Sequence, residues 1–152
     1  MSADPDALAI TVRDKIVDLI NAETYTGHPF EATANYLPEY RLATLSILQV
    51  DVRIVNDDTE VIDRFPSSED VYHLEITLQK QCSSGDATTL DELVNRGKRI
   101  AKLFYVNREL SGITPVPVVV ENSHELYDPF MLREYAVFFS RIELAVRQYV
   151  TD

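Results

Sequence analysis

The sequence predicts an α+β domain: an antiparallel or mixed β-sheet with two α-helices packed on one face and an extended β-hairpin arm. Three observations carry this. Two segments, DPDALAITVRDKIVDLINA and TTLDELVNRGKRIAKLF, repeat apolar residues at helical spacing. Others alternate apolar and polar residues with period two, as half-buried strands do. The connections between strands are mainly hairpin-like, which places the helices together on one face of the sheet. At 152 residues the chain reads as a single domain, 1–152, long enough to bury roughly 70% of its unfolded surface.

The first helix opens with Asp4 as N-cap and Pro5 at the first helical position, where a missing N–H costs nothing. Leu8, Val12, Ile16, Leu19 and Ile20 form its inner face, and the helix is expected to end near Ala22. A short strand, Phe30 to Tyr36, precedes Pro38. In LQVDVRIV, Leu48, Val50, Val52 and Ile54 point inward while Gln49, Asp51 and Arg53 point outward. VYHLEITLQKQ repeats the pattern, with Tyr72, Leu74, Ile76 and Leu78 inward and His73, Glu75, Thr77 and Gln79 outward. The acidic stretch NDDTEVIDRFPSSED joins these two strands as arms of a long hairpin. The second helix begins with a capping box, Thr89 with Glu92, and carries Gly97 among its inward positions, suited to close helix–sheet contact. Pro115 and Pro117 make ITPVPVVVEN an edge strand, LYDP a capped turn at Asp128–Pro129, and VFFSRIELAVRQYV a final long strand.

Composition narrows the function. Net charge is −11 with pI ≈ 4.6, which argues against gripping nucleic acid through its phosphates. No apolar run approaches the roughly 18 residues of a membrane span. The opening MSADPDALAI reads as neither secretory signal nor transit peptide. The single cysteine, Cys82, allows no internal disulfide and no cysteine-based zinc cluster.

Little in the sequence converges on chemistry. His28 and His124 read as loop residues, and His73 shares an outer strand face with Glu75, a pairing common on polar strands. Glycine-rich phosphate loops are absent. No catalytic residue and no cofactor is expected, and Cys82 reads as a passive thiol. Tyr36, Tyr40, Tyr127 and Phe130 lie in connectors, where they serve either an interface or turn packing. The acidic stretch holds Asp57, Asp58, Glu60 and Asp63, and has two readings: a solvated tip that blunts strand edges, or a protruding arm used in assembly. The candidate interface or channel residues are therefore Asp57, Asp58, Glu60, Asp63, Tyr127 and Phe130.

Taken together, the YLP turn, the LQVDVRIV strand, the acidic arm, YHLEITLQK, TTLDELVNRGKRIAKLF and the LYDP turn resemble the tail-terminator and neck (tail-completion) proteins of tailed bacteriophages. The resemblance runs over nearly the whole chain. It implies a structural virion protein, not an enzyme, made in the bacterial host cytoplasm. It also implies a homo-oligomeric ring, six copies in such families, that caps the tail tube and faces the head-side connector. DNA would pass through the ring without specific binding, and acidic walls suit that task because basic ones would hold phosphates. Related folds also serve as head-closure or adaptor proteins. An acidic protein-binding module of a cell is the alternative from a different class.

Overall fold

Alternation decides which side of each strand is buried, and the pairing register lines those residues into rows. In the computed structural model, which describes residues 8–25, 29–36, 46–61 and 67–151, the elements are α1 (Leu8–Ala22), β1 (Ala32–Ala34), β2 (Gln49–Val61), β3 (Ser67–Gln81), α2 (Ala87–Val106), β4 (Val118–Glu125), α3 (Pro129–Tyr135) and β5 (Val137–Thr151). The strands form one mixed sheet in the order β1-β2-β3-β5-β4, with β1 parallel to β2 and the other pairs antiparallel. The α+β class with a helical face is the one the chain adopts.

Three rows cross the centre of the sheet on that face. Val52, Ile76 and Ile142 are register partners, as are Ile54, Leu74 and Leu144, and Tyr72, Val146 and Val119. Val12, Ile16 and Ile20 of α1 and Leu93, Ile100 and Phe104 of α2 close over them in a single core. All eight residues expected to fill this space, Val50, Val52, Ile76, Leu78, Ile100, Phe104, Leu144 and Val146, are fully buried. The edge-strand expectation for ITPVPVVVEN holds only for its second half: β4, the last strand of the sheet, starts at Val118, after both prolines.

Local chemistry moved several boundaries. The N-cap of α2 is Asp86, whose carboxylate accepts the Thr89 N–H at 3.2 Å, so the helix starts before the Thr89–Glu92 box. β1 is only three residues long; the Asn21 amide accepts from Ala32 N and donates to Ala32 O, standing in for a further strand at that edge. The LYDP turn continues into a third helix, α3, with Asp128 accepting from Phe130 N and Met131 N. His124 lies on β4, not in a loop. The predicted start of α1 at Asp4 and Pro5 lies outside the described residues.

The outward parity differs most from expectation. Asp51, Glu75, Thr77 and Gln79 are buried. Cross-strand neighbours partner two of them: Arg53 and Arg141 reach over Glu75 at 3.2 and 3.7 Å, and Thr33 and Asn35 hydrogen-bond Asp51 at 3.0 and 2.6 Å. A carboxylate between two guanidiniums is compensated, which makes its burial tolerable.

Candidate assembly surfaces

Two non-identical surfaces stand out, one at the β1 edge of the sheet and one at the corner between β4 and β5. At that corner the chain leaves β4 through Leu126 and Tyr127, turns at Asp128 into α3, which packs on β5, and re-enters the sheet at Val137. The Asp128 backbone N–H donates to Phe139 O at 2.9 Å, and Ala136 closes α3 in the left-handed region at φ 50°. This rigid corner leaves Tyr127 (44%) and Phe130 (59%) exposed, with Phe130 and Tyr135 in an edge-to-face pair 5.9 Å apart. Both sequence candidates in this region are therefore open to solvent in part, while Phe130 also packs against Tyr135.

At the β1 edge, α1 packs on β1 and β2 and exposes Ile10, while Tyr36 and Ile47 are exposed beside it. The Arg13 guanidinium lies over the Tyr36 ring at 5.7 Å. The carboxyl end of α1 is clamped to α2: Glu23 pairs with Arg99 at 3.7 Å, and Arg96 stacks over Tyr25 and Phe30. Burial and then Glu23 push the Tyr25 hydroxyl up to about 12, so it stays a donor to Ile20 O.

Between α2 and β4 lies a polar seam that the sequence did not reveal. A β-bulge between Val119 and Glu121 resets the parity of β4, turning Asn122 and His124 toward the helix. Asn122 Nδ2 donates to Ala101 O at 2.8 Å. Ser140 Oγ donates to Glu125 O at 3.0 Å, which uses its only proton, so His124 Nε2 must donate to Ser140 Oγ across 2.9 Å. Burial and the nearby Lys98 lower the His124 pKa and favour the neutral imidazole. Gly97 makes the seam possible. A Cβ there would lie 3.0 Å from His124 Nε2. Alongside, Lys98, Lys102, Tyr105, His124 and Leu126 line a surface groove of about 330 Å³.

The acidic segment is strand over much of its length, not a loose connection. Asp57 pairs with Tyr72, Asp58 with Val71 and Glu60 with Glu69, and β5 runs beside β3 as far as Thr151. The described part is thus three strands wide. A bulge between Ile54 and Asn56 puts Asp57 on the same parity as Tyr72, whose hydroxyl donates to Asp70 at 3.3 Å. Asp57 is exposed; Asp63 lies outside the described residues.

The remaining candidates for chemistry have structural employment. Glu75 is held by its two arginines, and among the described residues no group of three His, Cys, Asp or Glu side chains could hold a metal. No helix among the described residues is long and apolar enough to cross a membrane. Cys82 is buried, and burial followed by Asp86 raises its pKa, which keeps it a thiol. Cys82→Ser is accordingly expected to shift the melting temperature only slightly and to leave assembly unchanged. A loss of assembly at normal stability, read by thermal melt and electron microscopy together, would contradict the packing role. No protein-family model matches the sequence, and no match is found among curated proteins.

Proposed function

We propose that this protein is a structural component of a phage neck: a tail terminator that closes as a ring on the end of the tail tube, between the tube and the head-side connector. The observation that supports this best is the pair of dissimilar apolar surfaces, one at the β1 edge of the sheet and the other at the corner between β4 and β5. A cyclic ring needs that arrangement, because each copy docks one patch onto a different patch of the next through a rotation that closes. Ile10, Tyr36 and Ile47 belong to one flank; Leu126, Tyr127, Phe130 and Tyr135 belong to the other. An overall charge of −11 suits a conduit through which DNA slides without adhering.

The test is electron microscopy of the purified protein, alone and mixed with isolated tail tubes. Rings capping one end of each tube are the expected result. Rings that bind the head-side connector and leave tube ends bare would move the assignment to a head-closure or adaptor role. Monomers in every mixture would end the ring reading.

A further inference from the structure

We infer that the groove between α2 and β4 is the socket for the α1 ridge of a second copy of this chain, with Lys98 and Lys102 receiving Asp14 and Asp18. The inference rests on the ring reading and assigns it a contact. Its starting point is electrostatic. With 25 acidic against 14 basic residues, two copies repel unless the touching surface brings cations. Lys98 and Lys102 are exposed side by side on the groove rim, with no ion-pair partner among the described residues. They are four residues apart on α2, hence about one helical turn, roughly 5.4 Å along the axis.

The opposite flank carries the matching pattern. Asp14 and Asp18 are exposed and four residues apart on α1, and among the described residues Asp14 is paired only with its neighbour Arg13 at 3.1 Å. Each ridge continues one turn further with an exposed apolar residue: Ile10 before Asp14, and Val106 after Lys102. Laid antiparallel, the two ridges bring Ile10 to Val106, Asp14 to Lys102 and Asp18 to Lys98. Tyr105 and Leu126, exposed at the groove, offer further apolar surface to the incoming helix. The α1 ridge cannot occupy its own socket, because α1 packs on β1 and β2 while the socket is built on β4, three strands beyond β2 in the sheet. The contact is therefore head-to-tail between copies.

The experiment is a charge swap read by sedimentation velocity and native mass spectrometry. One variant carries Lys98→Glu and Lys102→Glu, the other Asp14→Lys and Asp18→Lys. These exposed changes are expected to leave the melting transition of each variant nearly where it was. Each variant alone is expected to self-associate more weakly than the wild type, on the order of tenfold or more in dissociation constant. An equimolar mixture should restore assembly, since each reversed ridge then meets a reversed socket. Wild-type rings that both variants form equally well, or a mixture that fails to rescue, would overturn this contact while leaving the ring reading in place. A wild-type chain that stays monomeric alone and with tail tubes would overturn both.

Discussion

Replacing Ile76 with Asp is expected to leave the chain without a cooperative unfolding transition. Ile76 sits at the middle of β3, the central strand, with Val52 and Ile142 as its register partners and no exposed surface. A carboxylate there would have neither water nor a cation. The cost of an uncompensated buried charge and of the lost aliphatic packing is together on the order of 5 kcal/mol or more. A domain of this size has only about 5–15 kcal/mol of stability in total, so the substitution consumes much or all of it. The neighbouring position supplies the control. Glu75 carries a charge one residue away without harm, because it points to the other face and meets Arg53 and Arg141. Ile76→Val, which keeps shape and polarity, should cost only about 0.5–1.5 kcal/mol. Urea titration followed by circular dichroism separates the cases. A sharp transition in Ile76→Asp near the wild-type midpoint would mean that this face of β3 admits water.

The contrast between Ile76 and Glu75 also marks what the sequence could reveal. Apolar alternation announced Val50, Ile76 and Leu144, because an apolar side chain needs no particular partner to be buried; removal from water suffices. Polar burial depends on which partner the fold delivers, and no spacing within one strand encodes that. Asp51 and Glu75 therefore read as outward in the sequence although their cross-strand partners cover them. His124 was hidden twice over: it is polar on an inner position, and the bulge after Val119 breaks the alternation that would have placed it on a strand. The helix at Pro129–Tyr135 is too short for helical periodicity to register beyond its Asp-Pro start. At the candidate surfaces, Tyr127 and Phe130 were legible because aromatics in a connector have few ways to be buried. The Lys98–Lys102 groove was not, since it exists only where α2 meets β4. The acidic segment was legible as charge but not as architecture, because only pairing with β5 makes its described part three strands wide.

Gly97 is the one inward position whose reason was readable in sequence and whose partner was not, and it carries the second large effect. Gly97→Val is expected to destabilise the fold by about 2–4 kcal/mol. A Cβ alone would stand 3.0 Å from Nε2 and 3.1 Å from Cε1 of His124, and 3.4 Å from Ser140 Oγ. Valine adds two methyl groups beyond that point, and its helical rotamer preference leaves little freedom to turn them aside. Either α2 lifts from β4 or the imidazole is expelled. Expulsion breaks the Nε2–Oγ bond and leaves the buried Ser140 hydroxyl without its donor. A more helix-prone residue at an exposed site would gain up to about 1 kcal/mol over glycine, so the sign of the change tests packing against propensity. The double variant Gly97→Val with His124→Ala decides the mechanism. If the clash is with the imidazole, truncating His124 vacates the volume that valine needs, and the two changes together should cost clearly less than their sum in urea titrations. Strict additivity would show that valine is rejected by something other than His124.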